Sequence, residues 1–239
     1  MKKRIAALTA ATVLAGPAAA QDVYFPIVAK GFSHQLWQAV KLGAETAAER
    51  NGGTITFEGS NTEAEIEKQT DILNAAIARK PQGIGFAALG SQVQVPALRK
   101  AADAGIPIVA FDSGVESDLP LTTCTTDNMA AAATGADGLA KAIGEEGKVA
   151  AIIHDQTSAT GIGRRDGFLN RIEEAYPNIE IVDVQYANDA LKATETAKAM
   201  LQANPDLKGE TLPGVIDTGF YWYDKTNMDD PRVAAVLYD

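Results

Sequence analysis

Short apolar strands alternate with helix-period segments along almost the whole chain, and this rhythm is its strongest constraint. Residues 22–29 read as a first strand closed by Gly31, and 35–50 follow with Leu36, Val40 and Ala44 at helical spacing until Asn51-Gly52-Gly53. Residues 54–57 are a β-branched second strand. Asn61 is placed to cap a helix over 62–79, whose apolar stripe is Ile66, Leu73 and Ile77. Strands at 83–89, 106–111 and 121–125 enclose a third helix at 92–104. The pattern then restarts, with helices at 130–143, 165–176 and 193–204 and strands at 148–154 and 179–186. Alternation of this kind predicts an α/β fold of two Rossmann-like lobes, each a parallel sheet flanked by helices on both faces. The second lobe is expected to be incomplete: beyond residue 209 only Val215 to Gly219 reads as a further strand.

The N-terminus has the pattern of an export signal. Lys2, Lys3 and Arg4 precede a short apolar run, and Ala18-Ala19-Ala20 matches an Ala-x-Ala cleavage site. The expected division is a signal peptide over 1–20, an N-terminal lobe over 21–126, and a truncated C-terminal lobe with its tail over 127–239. The formal net charge is −10; the three leader cations contribute +3, leaving −13 after cleavage. So acidic a protein repels nucleic acid and anionic surfaces. A single cysteine, Cys124, cannot form an intramolecular disulfide, and its apolar, Thr-rich surroundings predict a structural thiol on a strand. One Cys with His34 and His154 does not make a metal site, and no cofactor is expected. A Gly-x-Ser-x-Gly elbow is absent and neither His lies where a triad needs it, so an enzyme is not expected.

Several fragments together resemble the ribose-binding group of periplasmic sugar-binding proteins that serve ABC importers. They are Gly31-Phe32-Ser33-His34-Gln35-Leu36-Trp37; Ile106-Pro107-Ile108-Val109-Ala110-Phe111-Asp112-Ser113; Thr126-Asp127-Asn128; Ser158-Ala159-Thr160 through Arg165-Asp166-Gly167-Phe168; and Asn204-Pro205-Asp206-Leu207-Lys208-Gly209. The tail from Val215 to Tyr223 also looks like the end of such a protein. The chain departs from the pattern between Lys208 and Leu212, where two phrases are joined as if an internal block were missing. The resemblance implies a type I periplasmic binding protein in the periplasm, acting as a monomer. It would hold a monosaccharide or related polyol between its lobes and deliver it to an inner-membrane permease. The alternative reading is a partly folded remnant that binds nothing.

Ligands of open parallel sheets bind beyond the carboxyl ends of the strands, and sugars need carboxylate, amide or guanidinium partners together with an aromatic face. After the first strand, Phe32, Ser33, His34 and Trp37 form a stacking and hydrogen-bonding wall, or Trp37 is a core residue of its helix. After the fourth strand, Asp112 is either a bidentate acceptor for sugar hydroxyls or a loop cap, and Ser113 stands where the family often has Arg. Thr126, Asp127 and Asn128 mark the first crossing between lobes and the expected hinge, with Asp127 also a ligand candidate; a plain helix cap explains them equally well. In the second lobe, Ser158, Arg164 and Arg165 are candidates, although the family's ligand-binding Arg position falls on Ile162 and its structural one on Arg164. Asn188 is the candidate after the last secure strand, with capping of the next helix as its other reading.

Overall fold

The computed structural model describes residues 23–32 and 34–207. The proposed leader, Ser33 and the tail, including the strand expected at Val215 to Gly219, lie outside the described residues. Among the described residues, seven strands and six helices alternate except where β5 follows β4 directly: β1 (Tyr24–Ala29), α1 (Gln35–Asn51), β2 (Thr54–Gly59), α2 (Ile66–Ala78), β3 (Ile84–Phe86), α3 (Val95–Asp103), β4 (Ile108–Phe111), β5 (Thr122–Cys124), α4 (Asn128–Ala142), β6 (Gly147–Ile153), α5 (Ala159–Ala175), β7 (Ile179–Tyr186) and α6 (Ala190–Ala203). The strands form two sheets, ordered β2-β1-β3-β4-β5 and β6-β7, and every pairing is parallel. The fold class expected from the alternation is the one observed.

In the first lobe, β1 buries both of its faces. Val28 points into a core with Leu73 and Ala76 of α2, Leu98 and Ala101 of α3, and Phe86 and Ile108 of the neighbouring strands. Ala29 points the other way, into a cluster with Trp37, Leu36 and Val40 of α1 and with Phe57 and Phe111. This two-sided burial is why Tyr-Phe-Pro-Ile-Val-Ala reads as continuously apolar rather than alternating. Chain order reverses at β1, with β2 on one side and β3 on the other, and loops diverge at such a switch point to leave a crevice.

The second lobe packs α4 and α5 together over its two strands, joining Ala136 and Ala140 to Ile172, Val149 and Ile179. Close approach of these helices requires glycine: a Cβ on Gly167 would lie 2.3 Å from Met129 O. An ion pair of 2.6 Å between Lys148 and Asp206 ties the segment after α6 to the start of β6.

Several expectations need correction, among them the third and sixth helices, which run Val95–Asp103 and Ala190–Ala203 rather than 92–104 and 193–204. The second helix begins at Ile66 and not at residue 62, and Asn61 does not cap it. Residues 62–65 instead make their own turn, in which the Glu65 carboxylate accepts from Thr62 N at 2.8 Å. The fourth helix begins at Asn128, two residues early, because Asp127 caps it by accepting from Ala130 N at 3.0 Å. The fifth begins at Ala159 rather than 165, so Thr160, Gly161, Gly163 and Arg164 are helical; Gly161 sits against the Asp155 backbone and Gly163 against Asn128, and neither breaks the helix. Cys124 lies on β5 as expected but is exposed, since β5 is an edge strand of the sheet.

Replacing Gly167 by Ala inserts a methyl group where backbone already sits, and should cost about 1–3 kcal/mol. In a domain of this size that is a fall in melting temperature of about 2–4 °C per kcal/mol, measured by calorimetry. Gly43→Ala, with open space around its Cβ position, should leave the transition in place or raise it.

Candidate functional site

The carboxyl ends of β1 and β4 converge on one ammonium group. Lys30 is the residue after β1, only 3 % exposed, and its Nζ lies 3.0 Å from Asp112 Oδ2 and 3.6 Å from Glu63 Oε2. It also donates to Thr160 Oγ1, in the first turn of α5, at 3.2 Å, so the contact spans both lobes. A buried ammonium is tolerated only with such partners. The Trp37 ring lies 5.9 Å from Lys30 Nζ and edge-on to Phe111 at 6.4 Å, while its indole N–H donates to Glu63 Oε1 at 2.8 Å.

Asp112 is held by its backbone. It adopts φ 55°, which costs a non-glycine residue strain, and its N–H donates to Cys124 O at 2.8 Å. Its ion pair with Lys30 is close but lies outside hydrogen-bond geometry. Asp112 Oδ2 and the fully buried Ser113 Oγ therefore have no hydrogen-bond donor or acceptor among the described residues. Acceptor capacity beside an aromatic ring and a cation suits a vicinal diol.

Asp155 organises the second-lobe side. Its Oδ1 accepts from Thr157 N at 2.9 Å and Ser158 N at 2.7 Å, its Oδ2 accepts from Ser158 Oγ at 2.6 Å, and His154 Nε2 lies 2.8 Å from it. Burial opposes its ionisation, but the close His154 contact and the hydrogen bonds from Ser158 outweigh that and hold its carboxyl well below the usual carboxylate range.

The other sequence candidates divide. Asp112 and Ser113 lie at this cluster, and Trp37 adjoins it as a core residue, 1 % exposed, which is the packing alternative read from the sequence. Ser158 is fully buried beside Thr160 but is spent capping α5, accepting from Gly161 N at 3.1 Å. His34 is exposed and caps α1, its Nδ1 accepting from Leu36 N at 3.2 Å; Phe32 is 44 % exposed. Thr126 and Asp127 are exposed at the crossing, where Thr126 O accepts from Asn128 Nδ2 and Asn128 Oδ1 accepts from Arg164 Nε at 2.9 Å. Arg164 thus ties α5 to the start of α4. Arg165 pairs with Asp166 at 2.7 Å, and Asn188 is exposed beside Asp189, the cap of α6. Lys30, Glu63 and Thr160 were missed as site residues. The available signal was a lysine ending an apolar strand immediately before glycine.

With two lobes built from parallel sheets and polar groups gathered at strand ends between them, the site defines a two-lobed binding protein. The model of the periplasmic binding protein domain matches residues 25–219, and the chain belongs to that family. It is 30% identical over 193 residues to the D-allose-binding periplasmic protein of Escherichia coli, covering 77% of this chain and 62% of the relative. It is 28% identical to a D-apiose import binding protein of Actinobacillus succinogenes, covering 77% and 59%. A carbohydrate-transporter solute-binding protein of Agrobacterium radiobacter, solved with D-arabinose, matches with TM-score 0.75 at 30% identity, over 79% of this chain and 65% of that one. The chain spans about three-fifths of the length of the curated relatives it matches.

Lys30→Met should lower stability by about 2 kcal/mol, read from urea denaturation. This is below the about 3–5 kcal/mol of a fully buried broken pair, since both carboxylates keep some water. Asp112→Asn should cost less, because Glu63 still faces the ammonium. For Asp155 the folded state binds its proton more weakly than the unfolded chain, so its stabilisation is present above about pH 4 and lost as pH falls further. Acid titration of stability should therefore be steeper in the wild type than in Asp155→Asn; equal slopes would contradict this assignment.

Proposed function

We propose that this protein is a periplasmic receptor that binds a monosaccharide or related polyol between its lobes and passes it, as a monomer, to an ABC importer permease. The observation that carries the reading is the Lys30, Asp112 and Trp37 cluster at the converging strand ends, closed from the second lobe by Thr160. Asp112 would accept from adjacent hydroxyls and Lys30 would donate to a ring or hydroxyl oxygen, with Trp37 fixed in the core behind them. The remaining acceptor, Ser113 Oγ, lies one residue from Asp112. The relatives support this ligand class: their names specify D-allose and D-apiose, and a solved neighbour carries D-arabinose. The basic leader followed by an apolar run and Ala-x-Ala supports export to the periplasm.

The chemistry required is capture and release. Binding groups fixed on strand ends lose little entropy when they engage a ligand, which favours affinity from few contacts. A thermal-unfolding scan of residues 21–239 against pentoses, hexoses and sugar alcohols tests the proposal. One sugar should raise the transition in a concentration-dependent way, as mass action requires of a ligand bound only by the folded state. The shift should vanish in Asp112→Ala. A transition that no sugar moves would favour the alternative, a remnant without receptor function.

A further inference from the structure

The Lys30 cluster holds more negative charge than its ammonium requires. Asp112 Oδ2, 3.0 Å from Lys30 Nζ, supplies one counter-charge for one cation. Glu63 Oε2 is a second, and at 3.6 Å it acts on the ammonium as a charge and not as a hydrogen-bond acceptor. On the second-lobe side the polar chain runs on to a third carboxylate. Thr160 Oγ1, which accepts from Lys30, lies 3.0 Å from Ser158 Oγ, and Ser158 donates to Asp155. Basic groups close by in the chain have partners of their own: His154 lies against Asp155, Arg165 pairs with Asp166, and Arg164 donates to Asn128.

Local structure does not require the charge on Glu63. The Trp37 indole N–H donates to Glu63 Oε1 at 2.8 Å, and a glutamine amide oxygen would accept it as well. A glutamine would also escape the desolvation that a second carboxylate suffers beside an ammonium already neutralised. The carboxylate is nevertheless held at a set distance from Lys30, because the turn after β2 packs on the turn after β1. Ser60 Oγ donates to Lys30 O at 2.6 Å, and a Cβ on Gly59 would lie only 2.8 Å from Gly31 O. A Cβ on Gly31 would in turn lie 3.6 Å from Glu63 Cγ. The Glu63 side chain is 31 % exposed, so its field reaches molecules that approach the strand ends from water.

We propose that Glu63 is a specificity-determining residue that restricts this site to uncharged polyols and turns away sugar acids and sugar phosphates. The inference rests on the receptor reading above and adds to it the charge class of the solute. An anionic group brought against Lys30 finds the attraction cancelled by Asp112 and meets the like charge of Glu63. Neutral hydroxyls meet an N–H donor and carboxylate acceptors instead. A hexose and its uronate present nearly the same ring, so shape alone separates them poorly. A fixed repulsive charge separates them directly.

Titration calorimetry on the mature chain tests it, with D-arabinose, D-allose and D-galactose each compared with the acid that carries a terminal carboxylate in place of CH2OH. For any of these sugars that binds the wild type, its acid should bind at least about tenfold more weakly, the scale of one charge pair partly screened by water. Glu63→Gln keeps the shape and the indole bond, and should narrow that gap about tenfold, chiefly through tighter binding of the acid. Glu67→Gln makes the same change of net charge on the exposed first turn of α2 and should leave the gap in place. A purely structural role for Glu63 would weaken sugar and acid together and leave their ratio unchanged. In the wild type alone the gap should also shrink as salt is raised, which keeps the test decisive if the glutamine variant folds poorly. Equal binding of sugar and acid, a gap that Glu63→Gln leaves intact, or a gap indifferent to salt overturns the proposal while the receptor reading stands. Absence of binding by all six solutes overturns it as well, and the thermal sugar screen then shows separately whether the receptor reading survives.

Discussion

An ammonium group out of water must be neutralised where it stands, and Lys30 imposes that requirement at the centre of this molecule. It is covered to within 3 % of full burial, at the tip of a strand whose own residues are wholly apolar. Satisfying it draws Asp112 from the end of β4, Glu63 from the turn after β2 and Thr160 from the second lobe into one place. The left-handed backbone of Asp112 and the irregular start of α2 are local departures at which these partners are presented. Parallel topology makes the convergence possible, because it puts the carboxyl ends of all five strands of the sheet on one side.

Two levels of organisation meet at this cleft. Charged groups form the inner one, where affinity for hydroxyl-bearing ligands would reside. Uncharged amides and hydroxyls form the outer one, running from Gln69 and Gln94 through Leu89 and Ser91 to Thr157. The outer chain is saturated and rigid, whereas the inner cluster retains acceptor capacity on Asp112 and Ser113. Rigid walls around unsaturated polar atoms are what a selective binding site requires, since loss of freedom on binding is then small.

The two lobes are unequal in construction. Five strands share the first sheet and two the second, among the described residues, and the helix pair α4 and α5 supplies much of the second lobe's core. Glycine at position 167 and the Arg171–Asp137 pair at 2.6 Å join those helices closely enough that a short sheet suffices beneath them. The Arg164–Asn128 hydrogen bond places the same helix pair beside the crossing between lobes.

The sequence by itself determined the alternation, the parallel sheets and the nature of the strand-end loops, because apolar runs and capping residues act over only a few positions. It also singled out Asp112 at a strand end, and it left Trp37 open between a ligand wall and the core, where burial places it. Helix starts were less legible: Asp127 caps α4 by accepting from Ala130 N, whereas the Glu65 carboxylate closes the turn at 62–65 and α2 starts after it with no side-chain cap. Only tertiary structure decided the site. Lys30 gains its meaning from Asp112, 82 positions away, and from Thr160, 130 positions away, and Gln69 from the loop it holds. Ser158, Arg164 and Asn188 carried the right chemistry, but the first two are consumed by a helix cap and a helix tie and the third is exposed. The physical reason is that a polar group's role depends on which partners the fold leaves within about 3 Å, and no local pattern encodes that.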